Sequence, residues 1–159
     1  MTLPARPFVA PLVLYFEDYP PGRVFELGDI DVDPIEVQAF AQRFDPQPFH
    51  IDAAAAAQSA YGGIIASGWH TASLAMRLLT ETFLSPDSSL GSPGIDELRW
   101  LLPVRPGDRL SGRASILSAR RSQSQPDRGI AITLIELRNQ HGATVLTMKA
   151  VNLLRCRPA

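Results

Sequence analysis

Asp45 and His50 stand five residues apart in a segment braced by Pro46 and Pro48. Proline fixes φ and removes a backbone donor, so the spacing predicts an extended, irregular piece that holds both side chains at one place. A carboxylate beside an imidazole can share a water molecule, one group acting as base and the other as acid. On spacing alone the plainer reading is favoured, with Asp45 capping the next turn and His50 a satisfied, half-buried histidine. A second constellation lies eighteen residues beyond His50, where Ser67-Gly68 opens a long apolar stretch. A helix N-terminus offers unpaired N–H groups and the positive end of a dipole. Glycine there lets a carbonyl come within hydrogen-bond distance of the backbone, which makes an oxyanion site. Ser67 can also be a simple helix cap, and Gly62, Gly63 and Gly68 can serve turns. The two roles are compatible.

The elements that must position these groups follow from periodicity. With 159 residues, 45% of them hydrophobic, the chain is long enough for one domain with a real core. Fifteen basic against sixteen acidic residues leave a net charge of −1, which argues against a nucleic-acid platform. One cysteine and three histidines exclude a disulfide framework and a Cys/His zinc cage. The apolar run from Phe8 to Phe16 is interrupted by Pro11 and ends at Glu17-Asp18 without a small-residue cleavage site. No stretch approaches a membrane span, so a soluble, cytoplasmic protein is expected.

Residues 1–14 read as a lead-in, and 15–155 as the domain. Arg23 to Leu27 alternates as a short strand, and Asp33-Pro34-Ile-Glu36 starts a helix that ends near Phe44. Asp52 caps a short alanine helix. From Ser67 to Leu84 apolar residues recur at steps of three and four, with His70, Ser73, Arg77, Thr80 and Glu81 on the polar face. The period then changes to two. Strands are expected over Leu98–Val104, Leu110–Ile116, Ile130–Leu137 and Thr144–Leu154, joined by hairpin-length turns. Helices early and strands late mean α+β, with an antiparallel sheet of about five strands curled around one long helix. The edges of such a sheet favour pairing with a second copy.

Asp45-Pro-Gln-Pro-Phe-His50-Ile-Asp52 followed by Tyr61-Gly-Gly-Ile-Ile-Ala-Ser-Gly68-Trp-His-Thr71 resembles the MaoC-like dehydratase family, which includes (R)-specific enoyl-CoA hydratases. Tyr15-Phe-Glu-Asp18 with Gly22, and Leu102-Pro-Val-Arg-Pro-Gly-Asp108, resemble its entry and its strand-linking turn, so the likeness runs from about residue 15 to 154. The resemblance implies a single hot-dog domain that forms a homodimer or higher oligomer, with the active site at the subunit interface. It implies that Asp45 and His50 activate a water and that the Gly68 amide binds a thioester oxygen, with Ser67 and Gly63 beside it. The reaction implied is reversible hydration of a 2-enoyl thioester of coenzyme A or an acyl carrier, with no metal or cofactor.

The sequence departs from that pattern at Gln47, where the family often has Asn, and at Ser67, where it often has His. Met76 stands where some members carry a serine, with Ser73 nearby but at a different position. These departures bear on substrate placement, and the pocket floor near Met76 and Leu79 is expected to set chain length. Thioester hydrolysis on the same fold and a non-catalytic acyl-CoA-binding subunit are the rival readings. Among the remaining candidates, His70 reads as a surface or interface residue, His141 as exposed, and Cys156 as inert. Arg99, Arg105 and Arg109 could meet coenzyme A phosphates, but scattered arginines on strand edges are usually solvated and none is singled out; Trp69 and Trp100 read as core or interface.

Overall fold

Asp33 starts the first helix with its own side chain. In the computed structural model, which describes residues 13–159, Asp33 Oδ1 accepts hydrogen bonds from Ile35 N at 2.7 Å and Glu36 N at 3.4 Å. Pro34, at the first helical position, costs no donor. The helix α1 runs Pro34–Phe44 and closes with Asp45 N on Ala41 O at 2.9 Å. Pro46 stops it there, which fixes where Asp45 leaves the helix. Asp33→Ala is expected to cost about 1 kcal/mol. In a chain of this size that lowers Tm by about 2–4 °C, which a thermal melt followed by circular dichroism will show.

The segment carrying His50 is not extended, as its prolines led us to expect. Pro48–Ile51 forms a single helical turn, α2, because Pro48 again occupies the first helical position and Asp52 N closes onto its carbonyl at 2.9 Å. Asp52 then caps α3 (Ala53–Gln58) through Ala54 N and Ala55 N. The long helix α4 spans Gly68–Thr82, with Ser67 as its N-cap. It ends two residues short of the expected Leu84.

Five strands form one antiparallel sheet: β1 (Val24–Asp31), β2 (Gly94–Trp100), β3 (Arg109–Arg121), β4 (Arg128–Arg138) and β5 (Thr144–Arg155), in the order β1-β3-β4-β5-β2. The run that is apolar on both faces is the central strand β4, as its composition requires. Leu110, Gly112, Ala114 and Ile116 all point inward from β3. They meet Leu74, Ala75, Leu78 and Leu79 of α4 in one core. The approach is close: a Cβ added at Gly112 would lie 2.9 Å from Leu78 Cδ1 and 3.0 Å from Leu27 Cβ. This α+β hot-dog arrangement, a sheet curled on a buried helix, is the one expected.

Several strand boundaries differ from the expectation: β1 runs on to Asp31 where Leu27 was expected as its end, and β3 runs on to Arg121 where Ile116 was. The strand placed at Leu98–Val104 lies upstream, at Gly94–Trp100. Leu101 N still reaches Val145 O at 2.8 Å, but Pro103 has no donor to continue the ladder, and Val104 O turns to accept from Ala66 N at 2.7 Å. Residues 1–12 of the expected lead-in lie outside the described residues, while Leu14 is already buried in the core. No helix among the described residues is long and apolar enough to cross a membrane.

Candidate active site

The carboxylate of Asp45 is held from three directions. Gln47 Nε2 donates to Oδ1 at 2.7 Å, Ser67 Oγ donates to Oδ2 at 2.7 Å, and His50 Nε2 lies 3.2 Å from Oδ2. Asp45 itself caps the C-terminus of α1, Gln47 and His50 come from the N-cap and the body of the turn α2, and Ser67 comes from the start of α4. Burial acts to raise the Asp45 carboxyl. The hydrogen bonds from Ser67 and Gln47, with the charge and hydrogen bond of His50, outweigh it and hold the group below the ordinary aspartate value.

His50 is buried and fixed at both ring nitrogens. Nδ1 lies 2.7 Å from Ile65 O. A carbonyl can only accept, so Nδ1 carries a proton. Nε2 is left facing the Asp45 carboxylate, so an imidazole and a carboxylate able to pass a proton between them stand side by side.

Ser67 does two things with one hydroxyl. It donates to Asp45, and it accepts from Trp69 N at 3.3 Å, capping α4. The helix start is thereby tied to the acid. Gly68, the first residue of α4, has no carbonyl one turn back to receive its amide, and it lines the cleft that holds Asp45 and His50. That cleft encloses about 470 Å³. Among its walls are Phe49, Tyr61, Thr71 and Trp100. The structure thus brings Asp45, His50 and Gly68 to one cavity, with Ser67 behind them. Gly63 is not part of the wall: it packs against Arg105, whose Nη1 would lie 3.3 Å from a Cβ added there.

Ser67→Ala removes a donor to the ionised form of Asp45, so the carboxyl rises toward its ordinary value. The acid limb of the kcat/KM profile is expected to move to higher pH. Activity at neutral pH should fall about tenfold, as for one charge-assisted hydrogen bond. A pH–rate series on the two proteins measures both.

One other reading is overturned, and a second in part. His70 is buried, not a surface residue: Phe40 of α1 packs on its ring with centroids 5.2 Å apart, and Glu36 Oε2 lies 4.0 Å from Nε2. Burial pushes its imidazolium below the ordinary histidine value. Of the core-or-interface reading of Trp69 and Trp100 the core half does not hold: they are 60% and 44% exposed and stand on the cleft wall. Met76 and Leu79 line a separate apolar hollow of about 210 Å³ with Ala72, Ile95 and Met148. His141 is exposed and Cys156 buried, with burial and nearby Glu17 pushing the thiol up. Gln47 and Trp100 were not singled out as site residues. Gln47, two residues from Asp45, carried a readable signal, since a side-chain amide there can reach back to the carboxylate. Among the described residues no group of three or more His, Cys, Asp or Glu side chains is placed to hold a metal.

Comparisons with known proteins agree with this geometry. The model of the MaoC-like domain matches residues 17–135. A MaoC-like dehydratase from Rhodospirillum rubrum is 39% identical, covering 92% of this chain and 100% of that one, with a TM-score of 0.86. An (R)-hydratase from A. caviae involved in PHA biosynthesis is 28% identical, covering 86% and 96%, with a TM-score of 0.67. The Bacillus subtilis protein YdeM is 29% identical over 127 residues, 78% of this chain and 86% of its own. With its hot-dog sheet, its aspartate and histidine in contact, and a family match across most of its length, the chain belongs to the MaoC-like domain family.

Proposed function

We propose that this protein is a hydro-lyase that reversibly adds water across the 2,3-double bond of an enoyl thioester. The observation that carries the reading is the Asp45–His50 pair, 3.2 Å apart, in the cleft that Gly68 also lines. Water held by the pair gives its oxygen to C3. The pair accepts the water's proton, and a proton is returned to C2, so one H and one OH are added. Charge gathers on the thioester oxygen as C3 is attacked, and the first amide of α4 stabilises it. The relatives named as a dehydratase and an (R)-hydratase support the same class of reaction.

Gly68, Ala72, Met76 and Leu79 recur at steps of four, four and three, so they follow one stripe along α4. Gly68 stands on the cleft and the other three on the apolar hollow, and on this reading the hollow takes the acyl chain. A homodimer fits the same reading. The edge strand β2 is exposed along nearly its whole length, and Ile95, Trp100, Leu101, Leu102, Trp69 and Met76 leave apolar surface uncovered beside it.

The test is incubation of the purified protein with crotonyl-CoA, following loss of the enoyl absorbance and, in parallel, free thiol. Hydration without thiol release is expected. Thiol release without hydration would establish a thioesterase instead.

A further inference from the structure

Arg99, Arg105 and Arg109 differ in what neutralises them. Arg109 forks between Asp29 at 3.1 Å and Asp31 at 3.0 Å. Arg99 faces Glu97 at 3.7 Å. The Arg105 guanidinium meets no carboxylate among the described residues; its Nη2 donates only to the carbonyl of Tyr61, at 2.5 Å. The acid closest to it in the chain is committed elsewhere. Asp108 Oδ2 accepts from Arg105's own backbone N at 2.8 Å, and Oδ1 accepts from Gln140 at 2.9 Å. Arg105 is exposed, yet it is held in place. Val104 O, just before it, is bonded to Ala66 N, and Gly107 N, just after it, to Val32 O. Gly63 leaves the space its Nη1 occupies.

Its position is at the rim of the cleft. Val104 and Tyr61 are lining residues, and Arg105 follows the one and grips the other. From the catalytic imidazole an aromatic wall leads to it: His50 to Phe49 with centroids 4.5 Å apart, then Phe49 to Tyr61 at 5.3 Å. Asp45 is the one carboxylate in that lining, and it lies at the far end of the wall. A fixed guanidinium with N–H donors to spare is suited to phosphate oxygens.

We infer that Arg105 binds the phosphate at the end of a pantetheine arm laid along the Phe49–Tyr61 wall; this rests on the acyl-thioester reading above. The phosphate chemistry is shared by coenzyme A and by the prosthetic arm of a carrier protein. A single exposed charge-assisted contact of this kind is worth about tenfold in affinity.

The test compares the intact protein with Arg105→Ala and Arg105→Lys on crotonyl-CoA, crotonyl-acyl carrier protein and crotonyl-pantetheine, which has no phosphate. Arg105→Ala should raise KM about tenfold for a phosphorylated substrate with kcat nearly unchanged, and should leave crotonyl-pantetheine unaffected. Whichever phosphorylated substrate responds names the source. Arg105→Lys should recover part of the loss, and added salt should erase the wild-type advantage. An equal rise for crotonyl-pantetheine would mean that Arg105 only braces Tyr61, and no rise for either phosphorylated substrate would remove it from the site; both overturn the inference. Calorimetric titration with butyryl-CoA, which cannot be hydrated, reads the contact without turnover. A Kd about tenfold weaker in Arg105→Ala upholds the anchor even where no hydration occurs, in which case only the hydro-lyase reading falls. Equal Kd values in an active enzyme sink the anchor alone.

Discussion

The His50→Ala protein is expected to hydrate crotonyl-CoA about 10²–10⁴-fold more slowly than the unaltered chain, as for loss of a positioned acid–base group. The imidazole is held through Nδ1 by Ile65 O and turns Nε2 to Asp45. On the proposed mechanism its removal takes away a proton carrier and half of the water's seat. Asp45→Asn keeps the shape of the side chain and loses its charge, so a fall of the same order is expected. Because the two groups touch and serve one water in the proposed mechanism they act as a unit, and the double variant should be scarcely worse than either single one. Melting curves separate this from unfolding. Both variants should melt cooperatively but somewhat lower, Asp45→Asn because it loses a carboxylate whose ionised form Ser67 and Gln47 stabilise, and His50→Ala because Ile65 O loses its partner. Undiminished hydration in both single variants would reject the site.

Gly68→Ala is expected to be nearly as damaging to activity, by about 10²-fold, comparable to losing one oxyanion donor. A Cβ at Gly68 would lie 2.5 Å from Trp100 Cε2 and 2.7 Å from Nε1, far inside contact distance. The indole must move, and with it goes the hydrogen bond from Trp100 Nε1 to Gly68 O at 2.8 Å. Trp100 also packs edge-on against Trp69, with centroids 5.2 Å apart, so the wall over the amide shifts as a block. The requirement at Gly68 is thus one of space. Trp100→Ala removes the obstruction, so Gly68→Ala should cost little further stability on that background, giving a strongly non-additive cycle in Tm. Equal losses on both backgrounds would show that the indole is not what excludes the methyl group.

Much of this architecture is legible in the sequence because it depends on local chemistry. Asp33-Pro34 and Asp52 announce their helices through side chains that bond amides two and three residues on. The alternation in β3 and the doubly apolar run of β4 reflect which faces meet the core. The contact of Asp45 with His50 is also within local reach, since one helical turn separates them. What escaped depends on distant partners. His70 looks polar and peripheral on a helical projection, but α1 lies across that face and covers it. Trp100 reaches Gly68 across 32 residues, and Ser67 reaches Asp45 across 22, distances at which periodicity carries no information. The upstream placement of β2 depends on its register with β5, which its own alternation does not set.

Ser67 gives the site a dynamic property. One oxygen both begins α4 and restrains the acid, so the first turn of that helix cannot fray without releasing Asp45. Helix ends are where local opening needs least free energy. Amide hydrogen exchange at Trp69 should therefore report on catalytic readiness as well as on helix breathing. A solvent or temperature that loosens this turn would displace Asp45 and the Gly68 amide together, and with them both of the groups on which the proposed reaction depends.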